Sequence, residues 1–170
     1  MQIVRWLDLR PEAWRNGGGT TREIWRQAAS GGDARGVEGF DWRASVAEVE
    51  TAGPFSLFPG HVRVIMPLSA HGMLLRSADQ SVEQLNPLVP FSFSGDAAMA
   101  AELPHGPVTD FNFIVRRGFA DAAVTLYEVS AGSDCMPPPG TCLVFIVSGG
   151  FIAGGTEMGW RDSLVLTPPE

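Results

Sequence analysis

The sequence predicts an all-β fold, a sandwich or barrel of the jelly-roll type, and three observations carry that expectation. The 170 residues include 20 Gly and 13 Pro, close to a fifth of the chain. That density of backbone punctuation leaves little room for long helices and suits short strands joined by turns. Most apolar segments alternate with period two, the signature of strands with one face turned to a core. The gaps between them are rich in Gly, Pro, Asn and Asp, the residues that turns require.

Taken in order, residues 10–16 offer the one helical turn, with Pro11 suited to its first position. Gly17, Gly18 and Gly19 then predict an irregular loop near the mouth of a pocket, their glycines allowing positive φ or close approach of two chains. Residues 30–39 lack periodicity and read as a mobile surface loop. The clearest strand is 40–50, which sets Trp42, Ala44 and Val46 on one face and Arg43, Ser45, Ala47 and Val49 on the other. Further strands are expected at 62–66, 73–76, 81–85, 91–93, 111–116, 123–129, 143–147 and 163–166. Length suggests two lobes, roughly 1–100 and 101–170, within a single compact domain of 170 residues. No internal sequence repeat accompanies that division.

Composition narrows the function. The charge is −7, from 12 basic and 19 acidic residues, and every basic residue is Arg. An acidic chain without a basic cluster supplies no nucleic-acid surface. The lack of Lys excludes Schiff-base chemistry and a P-loop lysine. The longest apolar run, 142–147, falls far short of the roughly 20 residues of a membrane span. Arg5, Asp8 and Arg10 interrupt any signal-peptide apolar region, so a cytoplasmic location is the expectation. A disulfide between Cys135 and Cys142 is geometrically conceivable, but two thiols in such a chain read as reduced and structural.

Familiar catalytic patterns are lacking. His61, His71 and His105 show no ligand spacing, so neither a metal nor another cofactor is expected. There is no Gly-x-Ser-x-Gly elbow. The triple glycine lacks the Gly-Lys-Ser/Thr ending of a phosphate cradle.

What stands out are polar residues set in tight Gly/Pro-shaped segments. They are Trp14-Arg-Asn-Gly-Gly-Gly-Thr-Thr-Arg-Glu23, Gly53-Pro-Phe-Ser-Leu-Phe-Pro-Gly-His-Val-Arg63, Phe91-Ser-Phe-Ser-Gly-Asp96 and Gly106-Pro-Val-Thr-Asp-Phe-Asn-Phe-Ile-Val-Arg-Arg117. In order and spacing these segments resemble the HutD/Ves family, small bacterial proteins with two cupin-like β-units in one chain. The resemblance spans most of residues 3–118 and fades beyond. It implies a bicupin-like fold and, for the HutD branch, an association with histidine utilisation. Metal-dependent cupins carry a His-x-His followed by Glu, where this chain has Pro59-Gly60-His61-Val62-Arg63. Their second motif has a His where Leu143 follows the Pro138-Pro139-Gly140 turn. A metal-free pocket is the consistent expectation.

The candidate ligand-binding residues are Arg43, Asn16, Thr20, Ser45, Arg63, Asp96 and Asn112. Arg43 lies mid-strand, where burial demands an anionic partner, and its fork suits a carboxylate from a ligand or from the protein. Asp96 is either that protein partner or the closure of an Asx turn. Asn112 faces away from Phe111 and Phe113. An Arg–Asp–Asn network that merely pins strands is the bland alternative to a site. The leading expectation is a protein that binds a small carboxylate resembling urocanate or formylglutamate and acts as a regulator or accessory factor. A metal-independent enzyme on the same compounds would draw its acid or base from Asp96, Glu48 or His61. An assembly protein would instead pair sheet faces in a homodimer.

Overall fold

The computed structural model describes residues 1–29 and 39–166, and among them the chain is all-β apart from one 3-10 turn, Trp6–Asp8. The loop expected at 30–39 lies, but for Gly39, outside the described residues. The chain divides into two compact units, one of Pro11–Thr125 and one joining Met1–Arg10 to the segment from Leu126 onward. Strand β1 (Gln2–Val4) belongs to the second.

The larger unit holds β2 (Glu12–Ala13), β3 (Gly19–Ala28), β4 (Phe40–Val49), β5 (Gly53–Pro54), β6 (His61–Pro67), β7 (Met73–Ser77), β8 (Val82–Leu85), β9 (Phe91–Ser94), β10 (Met99–Glu102) and β11 (Val108–Arg116). Six strands form one antiparallel sheet in the order β2-β3-β4-β11-β6-β9, and four form another, β5-β10-β7-β8. Both faces of the six-stranded sheet are buried at its centre. Trp42, Ala44, Val46, Val64, Phe111, Phe113 and Val115 make the centre of one face apolar, with Arg22 and Glu48 toward one end of it. The other face carries Ala47, Val49, Ile65, Phe91 and Phe93, which pack with Met73, Leu75, Leu85, Met99 and Ala101 of the four-stranded sheet. This is the jelly-roll interior, and alternation along β4, β6 and β11 decides which residues enter it.

The predicted helical turn at 10–16 is instead β2 and a tight turn, closed by Trp14 accepting from Gly17 and donating to Gly19 through the backbone. Pro11 is compatible with an edge strand, and β2 pairs on one side only. Gly17 takes φ +71°, and Gly19 is not loop but the first residue of β3. A Cβ on Gly19 would sit 2.2 Å from the carbonyl oxygen of Glu48. That contact is backbone, so it cannot swing aside. Gly19→Ala is therefore expected to destabilise the protein by about 1–3 kcal/mol, the cost of overpacking. Chemical denaturation would read the change, and an unchanged midpoint would show that β3 yields there.

The smaller unit adds β12 (Leu143–Phe145), β13 (Phe151–Ala153), β14 (Thr156–Met158) and β15 (Ser163–Val165). Strands β1, β15 and β12 form a three-stranded sheet, and β13 and β14 a hairpin. Its core comprises Ile146, Ala153, Met158 and Leu164. The Asp162 carboxylate accepts from the Trp6 amide and from Arg5, so two distant stretches of chain are tied together. The strand expected at 123–129 does not form, and Leu126, Tyr127 and Val129 are exposed. An alternating pattern makes a strand only where a partner edge is available, and no ladder reaches these residues. Nor does the chain divide near 100. That point falls within β10, which pairs with β5 and β7, and β11 then returns between β4 and β6.

Candidate functional site

Cross-strand register assembles the polar cluster. Asn112 of β11 lies opposite Ser45 of β4 and Ile65 of β6, while Ile114 lies opposite Arg43 and Arg63. On β3, Glu23 is opposite Ser45 and Thr21 opposite Ala47. Residues directly opposite share a face, so Arg43, Ser45, Arg63, Asp110, Asn112, Thr21 and Glu23 all project to the jelly-roll interior.

Arg63 is the centre of this group. It is only 6% exposed. Its guanidinium carbon lies 4.9–5.3 Å from the ring centroids of Phe55, Phe58 and Phe93, within cation–π range of all three. One terminal nitrogen donates to the Ser56 carbonyl (3.1 Å) and the other to Asn112 Oδ1 (3.0 Å). Its Nε is buried without a hydrogen-bond partner. Burial lowers its pKa to about 10, against the raising influence of Asp110, so it stays cationic at neutral pH. Asn112 in turn donates through Nδ2 to Asp110 Oδ1. Asp110 is fully buried, and its Oδ2 has no partner. Burial pushes its pKa up to about 7 despite Arg63 and the Asn112 hydrogen bond. Beside this chain, Arg43 Nε donates to Glu23 Oε2 at 2.6 Å.

Of the expected residues, the fold thus brings together Arg43, Ser45, Arg63 and Asn112. Thr20 points to the other face and donates to Glu48 Oε2, while its neighbour Thr21 turns inward and accepts from Trp14 Nε1. Asn16 caps its own loop by accepting from the Gly18 amide. Asp96 is not the partner of Arg43; that partner is Glu23, on the adjacent strand. Asp96 instead accepts from the Gly60 amide and pairs with Arg117 at the surface, and these contacts lower its pKa. An Arg–Asn–Asp network does exist, but its members are Arg63, Asn112 and Asp110. Neither Asp110 nor Glu23 is among the candidates read from the sequence, although period two along β11 places Asp110 on the same face as Asn112. Glu23 is placed only by the pairing of β3 with β4.

The acid/base candidates separate. Glu48 faces outward and pairs with Arg22. His61 is buried at the interior end of β6, its ring 4.7 Å from that of Phe40 and its Nδ1 2.9 Å from the Pro59 carbonyl oxygen. His71 and His105 lie together elsewhere, ring centroids 6.2 Å apart. No group of three or more His, Cys, Asp or Glu able to hold a metal occurs among the described residues. A surface depression of about 420 Å³ is lined by Glu48, Glu50, Pro107 and Thr109, outside the polar cluster.

The larger unit packs two antiparallel sheets around a shared core that also holds the polar cluster, and its fold is cupin-like. Within that class the chain belongs to the HutD family, whose model matches residues 7–170. The family match therefore continues well past residue 118, where the resemblance of the quoted segments ends. The chain is 39% identical over 114 residues to an uncharacterized 21.2 kDa protein in the hutC 3′ region of Pseudomonas putida. That alignment covers 67% of this chain and 57% of the relative, so the chain spans less than two thirds of the curated relative it matches. Among solved structures, HutD from Pseudomonas fluorescens SBW25, described in a formate condition, aligns with TM-score 0.73 at 30% identity. The alignment covers 95% of this chain and 84% of that one. A conserved protein of unknown function from Pseudomonas aeruginosa PAO1 aligns with TM-score 0.61 at 37% identity, over 68% and 57% of the two chains. The family is associated with the histidine-utilisation locus. No helix among the described residues is long and apolar enough to cross a membrane.

Proposed function

We propose that the interior of the larger unit binds a small carboxylate, and that the protein is a metal-independent regulator or accessory factor of histidine utilisation. The observation that carries this reading is the buried Arg63 guanidinium, which keeps an unpartnered N–H inside a phenylalanine-lined interior. A buried donor left unsatisfied costs about 1–3 kcal/mol, a cost that an incoming carboxylate oxygen relieves. Arg43, which shares the single Glu23 carboxylate with Arg26, adds positive potential nearby, and Ser45 offers a hydroxyl on the same face. Two Arg, an Asn and a Ser form an anion-binding set and not a metal-ligand set. Family context narrows the acid to compounds of the urocanate or formylglutamate kind, and the formate condition of the P. fluorescens relative makes formate a convenient minimal probe.

Calorimetric titration tests the reading. Urocanate or N-formylglutamate is expected to bind the chelator-treated protein, and the matching neutral amide to bind at least tenfold more weakly. Equal affinity for acid and amide, or no binding of either, would remove the carboxylate site.

A further inference from the structure

We infer that Asp110 is a positioning residue of this site and that an acid binding at Arg63 brings a proton onto Asp110. The inference rests on the carboxylate reading above and deepens it. Its geometric basis is the chain Asp110 Oδ1–Asn112–Arg63, which ends at a buried Oδ2 with no partner.

Asn112 has two ends, and only one orientation serves Arg63. Because Asp110 accepts from its Nδ2, the amide oxygen is left facing the Arg63 guanidinium. Asp110 thus holds the donor fork in place without having to touch the ligand. Either state of the carboxyl accepts this hydrogen bond at Oδ1, so the orientation survives when a proton sits on Oδ2.

The charges around Asp110 set the direction of the coupling. From β6, Arg63 supplies the positive charge that favours its ionised form. From β4, Arg43 pairs with Glu23 of β3, a carboxylate that Arg26 of the same strand shares, and Arg43 is not among the charges that shift Asp110. His61 and the Asp41–Arg116 ion pair lie farther along the same face. The four-stranded sheet contributes Met73, Leu75, Leu85, Met99 and Ala101 to the shared core, all uncharged. An anion on Arg63 therefore cancels the main charge that opposes protonation of Asp110. The pKa of Asp110, already near 7, rises further in the complex. A solvent proton then moves to Oδ2 as the anion enters, and the pair enters with no net change in charge. Affinity is highest at low pH, falls as pH rises through about 7, and levels off above the pKa of the complex.

Formate is the probe, because its own carboxyl does not titrate in this range. Titration of the full chain from pH 6 to 9, in buffers of different ionisation enthalpy, is expected to show uptake of a fraction of a proton per formate near pH 7–8. Affinity should fall by up to tenfold per pH unit at the steepest point. Asp110→Asn keeps the acceptor for Asn112 and cannot titrate, so its affinity profile is expected to be flat, with no uptake. This also separates Asp110 from His61. Formate affinity that is independent of pH, or an unchanged profile in the variant, would overturn the role of Asp110 and leave the carboxylate site standing. Failure to bind formate or the larger acids at any pH would remove the site itself, and the inference with it.

Discussion

Arg63→Lys is expected to lower affinity for urocanate and for formate by tenfold or more. A lysine preserves the charge but loses the planar fork, so the contacts to Ser56, to Asn112 and to the ligand cannot all be made at once. Hydrogen bonds to a charged group are worth about 1.5–3 kcal/mol, and a decade of affinity corresponds to about 1.4 kcal/mol. Packing suffers as well, because a flat guanidinium fits among Phe55, Phe58 and Phe93 and a tetrahedral ammonium does not. Arg43→Lys is expected to cost less, since the Arg43 side chain already commits its Nε–H to Glu23. Calorimetry on the folded fraction of each variant compares the two directly. Unchanged affinity in Arg63→Lys would dismiss Arg63 as the anchor.

The second large effect concerns stability. Asp110 carries a folded-state pKa of about 7 against a reference value of 3.8, and burial is the main cause. The sign follows from which form the fold penalises. At pH below about 4 the carboxyl is neutral in both folded and unfolded chains and costs nothing extra. As pH rises from about 4 to 7 the unfolded chain releases its proton first, so this residue progressively destabilises the fold. Asp110→Asn resembles the neutral acid at every pH. The variant is therefore expected to match wild type near pH 4 and to exceed it by ~2–4 kcal/mol at pH 8. That size follows because a tenfold difference in proton affinity between folded and unfolded chains corresponds to about 1.4 kcal/mol. Exposed carboxylates with lowered pKa, Asp79 and Asp96, affect both proteins alike and cancel in the difference. Denaturant melts at successive pH values read that difference. A stability gap that stays constant from pH 4 to 8 would show that Asp110 does not titrate in the fold.

How much of this was legible depended on whether a feature obeys period two. Strand β4 could be read because Arg43 and Ser45 alternate with Trp42 and Ala44, and the structure keeps that alternation. Asn112 followed from Phe111 and Phe113 by the same logic. Strand β3 was hidden because it opens on Gly19 and contains polar Thr21, Glu23 and Arg26. A β-bulge between Glu23 and Trp25 also breaks its periodicity. Missing that strand cost both Glu23 and the correct threonine, because parity along β3 separates Thr20 from Thr21. Asp96 misled because its Ser94-Gly95 setting suits a turn and a buried partner equally. Only long-range pairing shows that Arg117 reaches it and Arg43 does not. Proximity between β3 and β4 is a tertiary fact, and no local pattern encodes it.

The order in which this interior can form has a kinetic consequence. Arg63 and Asn112 are separated by 49 positions, and the central β4–β11 ladder closes around all of β5 through β10. Closing so long a loop costs entropy before any contact repays it, and pairings of this separation slow folding. A chain in which β6 and β11 have not yet paired has no place for an anion, since the donor fork and its brace lie on those two strands. A ligand of the interior proposed above would recognise the finished barrel and not its precursors. Such a ligand would hold back unfolding and leave the rate of folding nearly unchanged, lengthening the lifetime of the native chain without hastening its birth.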